Sequence, residues 1–273
     1  MSKLRVLDLF SGIGGFSLGL ERTGGFETVA FCEIEDYPRR VLAKHWPGVA
    51  CHDDIRTRDF LPGEADVIVG GFPCQDISHA GKRAGTAGSR SGLFRELVRA
   101  VRLVRPKYAI LENVADLVHR GMGDVCGELA ESGLRVEWDC IQAADVRAPH
   151  ERDRIWIVAY PDVWEQPNRH VSSVRWRQCS KEESAADGLN ANANGQRQLQ
   201  PGWPFREVWR RAFHGDQKWM DWPGDWRDRL SAFCRMDDGV SRRLDEAKPI
   251  GNAVVPQIPE LIGRAILKAG ISQ

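Results

Sequence analysis

The segment Asp8-Leu9-Phe10-Ser11-Gly12-Ile13-Gly14-Gly15-Phe16 follows an apolar run, Arg5–Phe10, that reads as a strand. Its glycines let the chain turn tightly into a helix and let backbone come close to a ligand. Outward from it, candidate strands at Thr28–Glu33, Asp66–Gly71, Tyr108–Glu112, Val136–Ile141 and Ile155–Ala159 alternate with stretches of helical periodicity. Phe94, Leu97, Val98, Val101 and Leu103-Val104 form the longest of these, and Tyr37, Val41 and Leu42 a shorter one. Several strands are apolar on both faces, as strands buried between two helical layers are. The β-α-β-α order predicts an α/β fold: a doubly wound, mostly parallel sheet with ligands bound at the carboxyl ends of its strands.

After Tyr160 the texture changes. Residues 161–235 lack strand–helix alternation, hold seven of the ten tryptophans and include the polar run Asn190-Ala191-Asn192-Ala193-Asn194-Gly195. Helical periodicity returns at Ile258, Leu261, Ile262, Ala265 and Ile266. The expected organisation is a catalytic domain, residues 1–160 plus 236–273, interrupted by a small domain at 161–235. With 42% hydrophobic and 28% charged residues the chain is globular in composition. No apolar run approaches the length that crosses a bilayer. The start, Met1-Ser2-Lys3-Leu4-Arg5, leads straight into a strand and does not read as a signal peptide. Seven cysteines with no Cys-x-x-Cys pair argue against a disulfide framework and a structural zinc site, and for a reducing, cytoplasmic setting.

Charge balances at 38 basic and 38 acidic residues, which by itself speaks against a polyanionic partner. The balance is uneven, however: residues 78–120 hold nine Lys and Arg against three Asp and Glu. Part of that excess, Arg95, Arg99 and Arg102, reads as one solvated helix face.

Further segments carry chemistry. Glu33 ends the second strand and Asp53-Asp54-Ile55 follows a third strand end; a nucleoside lying across these ends would meet carboxylates suited to its hydroxyls. The dinucleotide fingerprint fails, because Ser17 stands at its third glycine. Gly70-Gly71-Phe72-Pro73-Cys74-Gln75-Asp76-Ile77-Ser78 puts a cysteine on a loop at a strand terminus, a position that suits a nucleophile better than a structural thiol. The Gly-, Ala- and Ser-rich stretch Ser78–Gly92, with Lys82, Arg83 and Arg90, reads as a basic lid. Leu111-Glu112-Asn113-Val114 ends the fifth strand and offers a carboxylate near the cysteine as a general acid with a raised pKa; alone, Glu112 reads better as a capping or ion-paired residue. In Ala148-Pro149-His150-Glu151-Arg152-Asp153-Arg154, alternate arginines project to one side and can clamp an anion or a carbonyl. Gly251-Asn252-Ala253-Val254-Val255-Pro256 reads as a helix start.

Taken in this order, these segments resemble the cytosine-5 DNA methyltransferase family over residues 4–159 and 236–270. The resemblance implies the S-adenosylmethionine-dependent methyltransferase fold, S-adenosyl-L-methionine as methyl donor and double-stranded DNA as partner. It implies that Phe10, Gly12, Ile13, Gly15, Glu33, Ile34, Asp54, Ile55, Pro73 and Asn252 line the cofactor site, with Glu33 on the ribose and Asp54 on the adenine. Cys74 corresponds to the nucleophile, Glu112 to the glutamate that grips the cytosine, and Arg152 and Arg154 to the arginine pair. Phe72, Gln75, Ser78 and Arg90 fall where the substrate is held. Residues 161–235 correspond to the target-recognition domain, short for the family. His150 stands where the family usually has Gln. A bacterial or phage-like monomer is expected, with a cognate restriction endonuclease as a candidate partner. The alternatives are a tRNA cytosine-5 methyltransferase of the same fold, whose typical Cys-Phe-Thr is absent here, and an inactive cytosine-binding module. A nicotinamide-dependent oxidoreductase is disfavoured by Ser17.

Overall fold

The computed structural model describes residues 2–73, 92–146, 148, 152–161 and 253–271. Cys74, Gln75, Ser78, Arg90, Asn252, the expected lid and nearly all of the expected small domain lie outside the described residues.

Seven described strands form one sheet: β1 (Leu4–Leu9), β2 (Phe26–Cys32), β3 (Ala50–His52), β4 (Val67–Gly71), β5 (Tyr108–Val114), β6 (Leu134–Gln142) and β7 (Asp153–Pro161). Their order is β3-β2-β1-β4-β5-β7-β6. The first five are parallel; β7 runs antiparallel to both β5 and β6. The predicted mostly parallel, doubly wound sheet is therefore what the chain forms. Six described helices flank it: α1 (Gly15–Arg22), α2 (Asp36–His45), α3 (Gly92–Val104), α4 (Leu117–Arg120), α5 (Met122–Glu131) and α6 (Gln257–Ile271).

Alternation along the strands sorts the core into two layers. Leu7, Leu9, Ile68 and Leu111 meet Leu97 and Val101 of α3 and Leu129 of α5 on one face. Val6, Val67, Val69 and Ile110 meet Phe16 and Leu20 of α1 and Ile262 and Ile266 of α6 on the other. Covering both faces is what makes the central strands apolar throughout. The i, i+3, i+4 spacing of Phe94, Leu97, Val98, Val101 and Val104 buries one stripe of α3. The helix stops at Arg105, whose φ of 54° is left-handed, before Pro106.

α6 lies against α1, and the contact is made by small residues. A Cβ on Gly19 would sit 2.1 Å from the carbonyl oxygen of Pro256, and one on Gly15 would sit 2.5 Å from that of Val254. Backbone cannot give way as a side-chain tip can. Gly19→Ala is therefore expected to lower stability by about 2 kcal/mol, although alanine raises helix propensity by roughly 1 kcal/mol. A lower denaturation midpoint in urea is the measurement; an unchanged or higher midpoint would contradict the packing. Among the described residues no helix is long and apolar enough to cross a membrane.

Candidate active site at the carboxyl edge of the sheet

The carboxyl ends of β1, β2, β4 and β5 gather most of the described site residues. After β1 the chain turns through Phe10, whose φ of 55° is unusual for a residue with a side chain, and Gly12 at 52°. Ser11 bolts this turn to β2: its Oγ donates to the Asp8 carbonyl at 2.6 Å and accepts from Cys32 N at 3.2 Å. Glu33, one residue past β2, latches the loop. Its Oε2 accepts from Gly12 N at 2.7 Å and its Oε1 from Glu35 N at 2.8 Å. Next to it Ile34 is 63% exposed, a large apolar side chain turned to solvent at the mouth of the loop. After β3, Asp54 is bracketed by Arg56, whose backbone N and Nε each donate to Oδ1 at 2.9 Å. Those hydrogen bonds hold the Asp54 carboxyl below its ordinary range. Ile55 is buried.

Beneath the loop, Asp8 is fully buried; Oδ2 accepts from Ser17 Oγ at 2.7 Å, and Oδ1 has no hydrogen-bond partner among the described residues. Burial raises its carboxyl to about 7, against the opposing Ser17 hydrogen bonds. Between about pH 4 and pH 7 the folded state then keeps a proton that the unfolded chain has lost, so stability falls as pH rises through that window. Relative to Asp8→Asn, the wild type is expected to lose about 1 kcal/mol per pH unit from pH 5 to pH 7. Parallel pH dependences for the two proteins in denaturant titrations would contradict this.

The second half of the site is set by strand register. Gly71, the last residue of β4, pairs with Glu112 of β5. A Cβ on Gly71 would come within 3.2 Å of Glu112 Oε2, so glycine lets the carboxylate lie against the strand that leads into Phe72-Pro73-Cys74. Asn113 fixes the exit of that strand: its Nδ2 donates to the Phe72 carbonyl at 2.9 Å, and its Oδ1 accepts from Val114 N at 2.8 Å. The sequence reading gave Asn113 no role; an amide directly after a strand-end carboxylate was the available signal. Phe72, which the resemblance places at the substrate, is 3% exposed and packs on Phe94 at 4.9 Å between ring centroids. Pro73 is exposed. Gly15, assigned to the cofactor by the resemblance, lies against Val254.

β7 runs opposite to β5, so its first residues arrive beside Glu112. Arg154 Nε lies 3.0 Å and Arg152 Nη2 3.8 Å from Glu112 Oε1. All three side chains are largely shielded, at 10% exposure for Glu112, 13% for Arg152 and 24% for Arg154. The charges are paired, yet Oε1 receives no well-aligned hydrogen bond among the described residues. Burial raises the Glu112 carboxyl above its usual range and the two guanidiniums work against that rise; burial likewise lowers Arg152. The sequence-based expectation that both arginines face one side is met, and they meet the glutamate.

Residues 4–201 match the model of the C-5 cytosine-specific DNA methylase family. The chain belongs to that family. Among curated relatives it is 36% identical over 178 residues to the type II methyltransferase M2.BsuMI of Bacillus subtilis (strain 168), covering 62% of this chain and 45% of that one. It is 34% identical over 173 residues to the orphan methyltransferase M.SPRI of Bacillus phage SPR, covering 58% of this chain and 38% of that one. The chain thus spans less than half the length of these relatives. The same fold occurs in the crystal structure of the S. pombe Dnmt2 methyltransferase, at a TM-score of 0.51 and 22% identity over 60% of this chain and 53% of that one. For this C-5 cytosine methylase chain, the segments that carried the resemblance up to residue 159 fall inside the matched range.

Proposed function

We propose that this chain methylates carbon 5 of a cytosine flipped out of a specific sequence in double-stranded DNA, with S-adenosyl-L-methionine as donor. The observation that carries the reading is the Gly71–Glu112 register, which brings the strand leading to Cys74 alongside a buried, arginine-flanked glutamate.

The residues at the first three strand ends fit the donor. Among the described residues nothing lies within 4 Å of where a Cβ on Gly12 would project. Glu33 offers a carboxylate fixed by two backbone N–H groups, with lone pairs to spare for ribose hydroxyls. Exposed Ile34 offers an apolar wall to a flat ring. Phe10, Ile13, Asp54, Ile55, Pro73 and Asn252 complete the set assigned to the cofactor. When bound, the donor supplies an electrophilic methyl group on its sulfonium.

The chain's own residues handle the base. The Cys74 thiolate adds to carbon 6 of the cytosine and makes carbon 5 nucleophilic. Protonated Glu112 donates to the ring nitrogen as charge develops there. Arg152 and Arg154 keep that carboxyl oriented and are available to the base carbonyl or a nearby phosphate. Once carbon 5 carries the methyl group, its proton passes to water, the electrons of that C–H bond restore the 5,6 double bond, and Cys74 leaves as thiolate. The base must leave the stack to reach such a site. We assign target recognition to residues 161–235 and substrate contacts to Phe72, Gln75, Ser78 and Arg90. We also infer a monomer with a restriction endonuclease as a candidate partner.

Product mapping tests the reading. The full chain, incubated with S-adenosylmethionine and unmethylated phage DNA, is expected to leave 5-methylcytosine at one short motif. DNA without the mark would overturn it, and a mark on tRNA instead would favour the tRNA enzyme.

A further inference from the structure

Arg99 departs from the solvated face expected for it. From the middle of α3 its Nη2 donates to two carbonyls of the loop between β3 and β4, Ile55 at 2.7 Å and Arg58 at 3.3 Å. Its Nε pairs with Glu96 at 2.5 Å. Its guanidinium lies 4.9 Å from the centroid of the buried Phe60 ring, which the Arg58 guanidinium also approaches, at 4.6 Å. The loop is therefore held by an aromatic ring contacted by two cations, and by a fork on its main chain.

One peptide bond connects this grip to the proposed cofactor site. The Ile55 carbonyl and the Arg56 N–H are opposite ends of the same planar unit. Arg99 holds the carbonyl end, and the N–H end donates to Asp54 Oδ1 at 2.9 Å. If that plane turns, the donor under Asp54 turns with it. The Arg56 side chain also grips Asp54, Nε on Oδ1 at 2.9 Å and Nη2 on Oδ2 at 2.6 Å, but it is 56% exposed, whereas the Arg99 bond that sets the peptide plane is partly buried.

We propose that Arg99 is a positioning residue that acts through the Ile55–Arg56 peptide to fix the direction in which Asp54 presents its carboxylate to the adenine amino group of the cofactor. This rests on the cofactor reading above. A carboxylate accepts from the amino group of adenine and repels the carbonyl oxygen that hypoxanthine carries in its place. The ratio of affinities for S-adenosylhomocysteine and S-inosylhomocysteine therefore reports the aim of Asp54, and a uniform loss of stability does not change it.

The experiment is calorimetric titration of both ligands into the full-length wild type, Arg99→Ala, Arg99→Lys and Arg102→Ala. Arg102, on the same helix, pairs with Glu128 and Glu131 and serves as a matched loss of a surface ion pair. The wild type is expected to prefer the adenine ligand by at least about ten-fold, and Arg99→Ala to cut that preference by about ten-fold. Arg99→Lys, with a single compact donor, is expected to fall between them and also reads the effect if the alanine variant does not fold. Arg102→Ala is expected to keep the wild-type ratio. An unchanged ratio in both Arg99 variants overturns the proposal and leaves the proposed function standing. A wild type that binds both ligands equally also overturns it. A wild type that binds neither removes the cofactor reading, and this inference with it.

Discussion

Cys74→Ser is expected to abolish methyl transfer, lowering the rate by at least about 10³-fold while DNA binding persists. At neutral pH a thiol supplies an appreciable fraction of thiolate, and a serine hydroxyl supplies almost no alkoxide. The loss should appear in the chemical step: single-turnover methylation collapses, and the affinity for DNA containing the target motif stays within a few-fold. Transfer at the wild-type rate in this variant would remove covalent catalysis from the mechanism. Loss of DNA binding would point to a structural thiol.

Glu112→Gln carries the next largest expected effect, a fall of about 10²- to 10³-fold in kcat. Glutamine keeps the volume and can still donate a hydrogen bond, but it cannot ionise or pass a proton. It also leaves Arg152 and Arg154 side by side without the anion that lies 3.8 Å and 3.0 Å from them. The sign of the pH response follows from burial, which raises the Glu112 carboxyl. If the protonated acid is the working form, the wild-type rate gains as pH falls toward that raised value, and the variant lacks the gain. Pre-steady-state rates across pH 5.5 to 8.5 separate the two. A variant with full kcat would mean that the carboxyl positions the arginines and does not act on the base.

The sheet was legible because its strands are apolar on both faces and because glycine-rich turns mark their ends. Register was less legible. Nothing in the sequence says that Gly71 stands opposite Glu112, yet that pairing assembles the site. The reversed direction of β7 could not be read either, since a buried strand shows the same apolar pattern whichever way it runs. α5 was missed because its buried set, Met122, Val125 and Leu129, is sparse. Arg99 misled for a different reason. Helical spacing put it on the polar side of α3, but a long side chain can leave that side and reach the main chain of a neighbouring loop. Asp8 lay within a quoted segment, but only the fold shows that it is enclosed beneath the glycine turn.

The seating of α6 on α1 has a consequence for how the protein is made. Val6, Phe16, Leu20 and Ile110 belong to the first 110 residues, but residues that cover them, such as Ile262 and Ile266, leave the ribosome about 150 residues later. Until α6 arrives, only α1 of this helix pair covers that side of the nascent sheet, and its remaining apolar surface is open to a chaperone or to transient partners. A premature stop ahead of Gln257 would release a chain with a greasy, unmatched surface, destined for aggregation or degradation. Such a fragment could still be useful: supplied in trans, a peptide spanning Val254–Ile271 would have a ready-made berth, so the two pieces could be used as a split reporter.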